Sequence, residues 1–496
     1  MRTVFLATTA FAMAASAASA QNVPWHGYGG DAQHNAQAPV AGQTMAHVHW
    51  SIAVDLSPPG FLGIHYGEPM VTGANTVLLP VKVNDQGTYH MEAHSAADGS
   101  QLWTQTVSYL FPPYDWIPSI PAHLSEQNRL FFAGPGGTLQ FRDSPDSASG
   151  NGGTLVFYGK KNYRQDKSAY DANVMVSTPI TADAAGNVYF GFTVTGSTPL
   201  GLKSGIARIG AGGKGSWVAA SAAANDASID GVPTNSAPAV SRDGKTIYVA
   251  VAQSNTGRGI LLGLNSRTLA TKYSAPVTDP YFKAPAIVFG DSSASPTVGP
   301  DGDVYFGVVE SDFQSHNDRG WLLHFDAKLR KTKIPGSFGW DDTVSVVPSS
   351  AVPSYTGSSS YLLMSKYNNY YGIGSGDGHN KIAILDPTAT ESDPVLPSVK
   401  VMNEVLTIIG PTQEPGEPKG VVYEWCINSA VVDAANKSVI ANSEDGRTYR
   451  WDLTNNTLVS TLQLNGPTPE AYTPTLIGPD GQIYSINDAR LYAIGN

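Results

Sequence analysis

Cysteine is nearly absent from this sequence of 496 residues, which contains only Cys426. A single cysteine excludes an intramolecular disulfide, a C-x-x-C-H haem attachment and a zinc site built on several cysteines. The nearby Glu424 is acidic, whereas a reactive thiolate needs electropositive surroundings. We therefore expect Cys426 to be a small buried apolar residue.

Charge is also scarce, because only 14% of the residues are charged and 30 basic residues face 41 acidic ones. The resulting net charge of −11 argues against nucleic acid as a partner, since nucleic acid requires a basic surface. No segment approaches the roughly 18 uninterrupted apolar residues of a retained membrane span. We expect a monomer that binds no nucleic acid and does not span a membrane.

The common catalytic signatures are missing as well. The sequence has no H-E-x-x-H, no G-x-S-x-G and no Walker-type phosphate loop. The segment GSGDGHN (374–380) is the nearest to a calcium loop, but it lacks the carboxylate spacing and closing Glu of an EF-hand. Asp377 in this segment is retained as a candidate calcium ligand.

The first residues, MRTVFLATTAFAMAASAASAQ, combine one arginine, an apolar stretch and an A-S-A sequence. This arrangement is typical of a secretory signal peptide cleaved after Ala20. We expect residues 1–20 to be this signal and residues 21–45 to be an N-terminal arm. The mature protein is then exported, either to the periplasm or out of the cell.

Glycine and proline are abundant, with 51 and 34 residues, and a phrase that contains both recurs along the chain. Its clearest copy is SPTVGPDGDVYFGVVE at 295–310, with relatives at 178–194, 237–252 and 473–488. The D-x-G centre favours a tight turn, and the β-branched and aromatic flanks favour strands. Each phrase therefore predicts two antiparallel strands.

Eight such units can be aligned, and most of them are about 45 to 60 residues apart, the size of a four-stranded antiparallel blade. They begin at residues 68, 119, 178, 237, 295, 345, 428 and 473. Several units continue into a third and fourth strand, for example at 320–334. The last unit has only three strands, and AHVHWSIAVDL (46–56) resembles the missing fourth. The sequence thus predicts an all-β protein, a single eight-bladed propeller over 46–496 that is closed by pairing of its N- and C-terminal strands.

The blade phrases, ADGSQLW (97–103) and especially PWHGYGGDAQHNAQAP (24–39) resemble bacterial exported proteins with pyrroloquinoline-quinone-like repeats. This resemblance covers nearly all of the mature chain. It implies a propeller fold, whereas the activities of the family range from quinone-cofactor alcohol dehydrogenases to outer-membrane assembly scaffolds and binding proteins. The resemblance therefore supports the fold more than any one activity.

The segments before the innermost strands converge on the axis of a propeller, and five of these eight segments pair an aromatic ring with an acid. Rings beside carboxylates suit a neutral polar ligand such as a sugar, or a cation. The alternative is that the tryptophans wedge between adjacent blades. The candidate ligand-binding residues are Tyr66, Glu68, Asp115, Trp116, Trp340, Lys366, Trp425, Asn428 and Tyr472.

Catalysis is a further possibility at this axial face. Asp341, Asp342 and Glu424 are candidates for a general acid and base, with His65 or His316 as a proton carrier. The alternative is that adjacent acids such as Asp341 and Asp342 form only a solvated or turn-forming pair.

The family resemblance implies a possible set of roles for pyrroloquinoline quinone and calcium. Trp116 or Trp425 would stack on the quinone, Lys366 would hold its carboxylates, Glu424 and Asn428 would bind calcium, and Asp341 would be the base. The adjacent cysteine pair of the alcohol dehydrogenases is missing. We therefore expect first a binder of a small-molecule or carbohydrate ligand without redox chemistry. The alternatives are a quinone- and calcium-dependent dehydrogenase, a polysaccharide lyase or hydrolase, and an envelope assembly scaffold.

Overall fold

A computed structural model describes residues 22–58, 66–84, 87–113, 119–289, 294–425, 427–467 and 475–496. It consists of eight antiparallel sheets arranged as the blades of a propeller, which confirms the predicted fold class. In seven blades the innermost strand lies inside the predicted repeat unit, whereas the inner strand of the third blade begins at Val174, before the predicted start at 178. Three short helices, Lys160–Gln165, Lys167–Asn173 and Ala220–Ala224, accompany them, and no helix of the described residues is long and apolar enough to cross a membrane.

The blades are numbered in chain order, and the strands of each run from the axis outward. Blade 1 is β2 (Met70–Val71), β3 (Thr76–Asn84), β4 (Thr88–Ser95) and β5 (Gln101–Ser108); blade 2 is β6 (Ala122–Leu124), β7 (Arg129–Ala133), β8 (Leu139–Asp143) and β9 (Gly152–Leu155). Blade 3 is β10 (Val174–Val176) and β11 (Thr181–Ala182), both paired with β12 (Val188–Val194), then β13 (Gly205–Ile209) and β14 (Gly215–Ala219); blade 4 is β15 (Ala239–Val240), β16 (Thr246–Ala252), β17 (Gly259–Asn265) and β18 (Thr271–Pro276). Blade 5 is β19 (Thr297–Val298), β20 (Val304–Val308) and β21 (Trp321–Phe325); blade 6 is β22 (Ser345–Pro348), β23 (Tyr361–Tyr367), β24 (Lys381–Ser392) and β25 (Lys400–Ile409). Blade 7 is β26 (Val431–Asp433), β27 (Ser438–Ser443), β28 (Arg447–Asp452) and β29 (Thr457–Gln463); blade 8 is β30 (Leu476–Ile477), β31 (Ile483–Asn487), β32 (Arg490–Gly495) and β1 (His47–Ala53).

The ring is closed by β1, which pairs antiparallel with β32 from His47↔Gly495 to Ala53↔Arg490. The strand lies inside the predicted closing segment, 46–56, and it completes blade 8 as expected. Trp50 anchors it, because its indole Nε1 donates to the carbonyl of Ala96 in blade 1 at 2.8 Å. Both ends of the chain are thereby held in one blade, and the sheet edge of β32 is covered.

Blade 5 differs from the prediction. The prediction of a fourth strand within 320–334 is wrong, since this segment forms only isolated bridges such as Phe325↔Thr332 after β21. Pro335 follows directly, and proline cannot donate to a strand ladder. The outer hairpin of blade 6, β24 and β25, covers this place instead, and Met402 donates its backbone N–H to the carbonyl of Pro335 at 2.8 Å. The long interval between 345 and 428 therefore supplies a cover for blade 5.

The two faces of the ring are distinct. The upper face is where the innermost strands begin and where the loops between second and third strands lie. The lower face is where the innermost strands end. The N-terminal arm runs across the lower end of the axial channel, and its backbone bonds to one innermost strand after another: Trp25 to Val71, His26 to Leu124, Ala32 to Val240, Gln33 to Val298, Asn35 to Val346, and Ala36 and Ala38 to Val432.

The arm reaches the two remaining blades as well. His34 Nε2 lies 3.4 Å from Thr181 Oγ1 of blade 3, and the Gln43 N–H donates to the carbonyl of Gly481 beside blade 8. The turn at Gly29 and Gly30 makes this path possible, because both have positive φ and a Cβ on Gly30 would lie 2.9 Å from the Trp25 ring. The segment that carries the family resemblance is thus a plug for the lower end of the channel.

Candidate functional site

The centre of the channel is filled by a side chain of the plug. Tyr28 donates its phenol to Asn428 Oδ1 at 2.5 Å and lies 2.8 Å from Thr343 Oγ1, and both partners precede innermost strands at the upper face. Burial raises the pKa of Tyr28 well above its usual value, so the phenol stays protonated. Asn428 is therefore a partner of the plug.

Glu68, on the other side of the axis, also binds the N-terminal arm. Its Oε1 accepts the Trp25 indole N–H and its Oε2 accepts the Gly29 backbone N–H, both at 2.7 Å. Burial raises the pKa of Glu68 well above its usual value, against the lowering effect of these two donors. The structure thus places two of the predicted ligand-binding residues, Glu68 and Asn428, in contacts that hold the arm.

A charged group lies beside the axis in blades 6 and 7. Asp342 and Lys366 are almost fully buried, and Asp342 Oδ2 accepts the Ser365 hydroxyl at 2.6 Å. Burial raises the pKa of Asp342 to about 7, although Lys366 and Ser365 lower it. Burial likewise raises the pKa of Glu424 to about 7, again against Lys366. Asp342 and Glu424 thus share an electrostatic interaction with Lys366.

The neighbouring Asp341 is buried and takes a positive φ of 51°. Its backbone carbonyl accepts Asn428 Nδ2 at 3.4 Å. Its place in the turn before β22 fits the turn-forming alternative that the sequence left open.

The two described tryptophans of the candidate set lie in different surroundings. Trp425 is 0% exposed and packs in the core between blades 6 and 7, with Tyr449 in an edge contact at 5.4 Å between ring centroids. A ring with no exposed surface cannot stack on a ligand, so Trp425 is an interblade wedge. Trp340 is half-buried and lies near Phe289 and Tyr370, at 6.5 and 6.2 Å between centroids.

These rings belong to an aromatic wall at the upper face, formed by Phe289, Phe313, Trp340 and Tyr370. Phe313 is 40% exposed, lies 5.5 Å from Phe289 and has a φ of 64°, which is unusual for a bulky residue. Exposed rings held in a strained loop are a frequent feature of binding sites. The wall offers ring surfaces to a ligand.

The aromatic wall borders a cavity of about 1130 Å³ over blades 3 and 4, which shares Phe289 with it. The cavity is open to solvent, and its lining is divided almost evenly between polar and apolar surface. It is lined by Pro113, the loop between β12 and β13 from 193 to 204, Ser221, the segment 227–234, Ser254 and Phe289. Lys203 and Asp230 supply one charge of each sign. Such a cavity is large enough for a ligand of several sugar units.

Three further candidates have other roles in the structure. Tyr66 donates to Asp55 Oδ2 at 3.1 Å behind the closing strand. Asp377 is exposed and its carboxylate accepts from Asn369 and from the backbone of His379, as in a simple loop turn. His316 is fully buried between Trp321 and Asp393, 3.0 Å from the carboxylate. His65, Asp115, Trp116, Cys426 and Tyr472 lie outside the described residues.

The cavity loops were missed by the sequence analysis, which looked for rings next to acids. The segment TVTGSTPLGLKSG (193–205) is rich in threonine, serine and glycine and contains neither an aromatic residue nor an acid. Its length between β12 and β13 was the available signal, because loops between second and third strands emerge at the upper face.

Comparison with known proteins reveals the fold alone. The sequence matches no family model and no curated protein sequence. It is structurally similar to a europium-containing methanol dehydrogenase, at 10% identity and a TM-score of 0.57, over 94% of this chain and 89% of that one. It is also similar to the quinohemoprotein alcohol dehydrogenase of Comamonas testosteroni, at 11% identity and 0.57, over 97% and 82%. A third similar structure is Sqt1 of Saccharomyces cerevisiae, at 9% identity and 0.50, over 92% and 100%.

Two residues with quinone or calcium roles in the family resemblance make other contacts in the structure. Trp425 is fully buried in the core, and the Asn428 oxygen that would bind calcium accepts the Tyr28 phenol instead. Among the described residues, no three His, Cys, Asp or Glu side chains are grouped so that they could hold a metal ion.

Proposed function

We propose that this protein binds an extended, hydroxyl-rich ligand, such as an oligosaccharide, at its upper face after export from the cytoplasm. The observation that carries the proposal is the continuity between the 1130 Å³ polar cavity and the aromatic wall, through Phe289. Sugars present hydroxyls along their edges and apolar C–H groups on their faces. Polar walls and aromatic rings together match both kinds of surface.

The position of the plug at the lower end of the channel also supports ligand binding at the upper face. Since the arm bonds to innermost strands around the ring and Tyr28 fills the axis, a ligand approaches the centre from the upper face. The serine, threonine and glycine residues of the cavity favour hydrogen bonds with neutral hydroxyls. Lys203 and Asp230 offset each other in charge, which favours a ligand of low net charge.

Calorimetric titration with maltotetraose and cellotetraose tests this proposal. Phe289→Ala and Trp340→Ala are each expected to weaken binding about tenfold, because a stacked ring contributes roughly 0.5–1.5 kcal/mol beyond its buried area. Phe282→Ala is the matched control, as Phe282 is an aromatic residue of the upper face that is 47% exposed and does not line the cavity. Equal affinities for the parent and Phe289→Ala, or no heat with either sugar at millimolar concentration, would contradict the proposal.

A second candidate function, hydrolysis or elimination of a polysaccharide, is favoured by Asp342 and Glu424. Burial raises the pKa of each carboxyl to about 7, so both populate the acid and the base form near neutral pH. Release of reducing ends or of unsaturated sugars from polysaccharides would reveal this activity. Its loss in Asp342→Asn and Glu424→Gln, with oligosaccharide binding retained, is the result expected of an enzyme.

A further inference from the structure

The outward side of the arm carries four polar side chains in alternate positions, Asp31, Gln33, Asn35 and Gln37. The residues between them face the channel, and His34 and Ala36 are each 1% exposed. The backbone of the arm is fixed in this orientation, because the carbonyls of Gln33 and Asn35 accept the N–H groups of Val298 and Val346 at 2.9 Å.

This row faces a second cavity, on the lower side of the ring. The cavity has a volume of about 310 Å³ and lies between the arm and the turns of blades 4, 5 and 6. Its other walls are Arg242, Pro300, Val346, Pro348, Ser360 and Tyr361. A cavity of this size holds a molecule as large as a monosaccharide.

The hydrogen bonds of the row leave one buried acceptor beside the cavity without a partner. Asn35 donates through Nδ2 to Asp31 Oδ2 at 2.9 Å, while its buried Oδ1 has no partner among the described residues. Gln33, which also lines the cavity, donates through Nε2 to the carbonyl of Val240 at 2.9 Å. A buried carbonyl without a donor is costly, so this site is suited to a ligand with O–H donors.

The rim of this cavity carries a cationic hydrogen-bond donor, the guanidinium of Arg242. Arg242, in the turn between β15 and β16, is exposed and makes no ion pair or hydrogen bond within the part of the chain that the structure describes. The carboxylate of Asp31 accepts the backbone N–H groups of Gln33 and Asn35 and the Asn35 amide, and among the described residues it makes no ion pair with Arg242. A guanidinium at a cavity rim is suited to a carboxylate, which it can hold with two parallel hydrogen bonds.

We propose that this lower cavity is a separate binding site for a sugar acid of monosaccharide size. Its hydroxyls donate to Asn35 Oδ1 and Gln33 Oε1, and its carboxylate lies against Arg242. The site is independent of the upper face, since the arm separates the two and no residue lines both cavities.

Calorimetric titration of the full mature chain with glucuronate, and with glucose as its neutral counterpart, tests the site. We expect glucuronate to bind at least tenfold more tightly than glucose, and Arg242→Ala to remove this preference. Arg267→Ala is the matched control, because Arg267 is an exposed arginine in another lower-face turn of the same blade and does not line the cavity. Asn35→Ala should weaken both sugars, and its melting temperature, compared with that of the parent, separates lost binding from lost folding.

The same titration on Phe289→Ala distinguishes this site from the upper one. Glucuronate binding that is unchanged in Phe289→Ala and lost in Arg242→Ala supports the lower cavity. The proposal is overturned if glucuronate produces no heat at 10 mM, on the order of the weakest affinity that such a site would show. It is also overturned if Arg242→Ala binds glucuronate as the parent does, or if glucose binds equally well.

Discussion

At the scale of single residues, two tryptophans that look alike in the sequence have different environments. Both stand beside acids just before an innermost strand, Trp340 before Asp341 and Trp425 after Glu424. Trp425 lies in the core between two blades, whereas Trp340 is half-buried beside the large cavity. A local pattern cannot separate these cases, because the difference lies in which neighbouring blade covers the ring.

The two rings should therefore respond differently to truncation. Trp425→Ala leaves a cavity in the core, and we expect it to lower the free energy of unfolding by about 3–5 kcal/mol. Trp340→Ala removes a partly exposed ring and should lower it by less than about 1.5 kcal/mol. Urea unfolding followed by far-UV circular dichroism measures both values. Similar losses for the two variants would contradict the assignment of Trp425 as a wedge and Trp340 as a surface ring.

Histidines around the plug provide a second prediction at this scale. Burial lowers the pKa of His34 to about 4 and that of His123 to about 3, and the neighbouring His26 adds to the effect on His123. Between pH 6.5 and these values, the unfolded chain binds more protons than the folded protein. The contribution of each histidine to the free energy of unfolding is thus largest above about pH 6.5 and falls with decreasing pH, by up to about 1.4 kcal/mol per unit.

The variant His123→Phe tests this dependence, because His123 Nδ1 has no hydrogen-bond partner in the described part of the chain. Its melting temperature should fall less between pH 7 and pH 5 than that of the parent. His379→Gln, at an exposed position, should behave like the parent and controls for the titration of other groups. If His123→Phe loses as much as the parent over this range, the buried neutral histidine is not a source of acid sensitivity.

At the scale of elements, the sequence predicted the blades better than the site. The turn chemistry of D-x-G and the strand flanks are local, so the closing strand and the innermost strands could be located, except β10 of blade 3, which precedes the predicted start at 178. The fourth strand predicted for blade 5 does not form, because Pro335 follows the segment and the outer hairpin of blade 6 covers this place. The course of the arm was not predictable either, since its contacts join residues that are far apart in the sequence, such as Tyr28 and Asn428.

The polar cavity was not predictable from the sequence either. Threonine and serine in a loop are compatible with almost any surface, so only the spatial convergence of blades 3 and 4 makes a site of them. The sequence predicted a ligand at the upper face, and that remains a proposal. The location that we propose for it lies next to Phe289 and away from the acids on which the sequence analysis concentrated.

At the scale of the whole molecule, closure of the ring depends on a single strand pair, and a covalent bond across that pair measures its contribution. Ala53 and Arg490 are direct antiparallel partners, and such partners lie about 4.5–5.5 Å apart between Cα atoms, within the range of a disulfide. In a Cys426→Ser background, the oxidised pair Ala53→Cys/Arg490→Cys closes a loop that contains nearly the whole chain. The chain-entropy description then gives a stabilisation of up to about 5 kcal/mol relative to the reduced form.

The control is the pair Asp452→Cys/Thr457→Cys in a tight hairpin of blade 7. It closes only a short loop and should gain much less on oxidation. Thermal unfolding with and without reductant compares the two pairs. If oxidation shifts the melting temperature equally for both, the pairing of β1 with β32 is not what holds the ring closed.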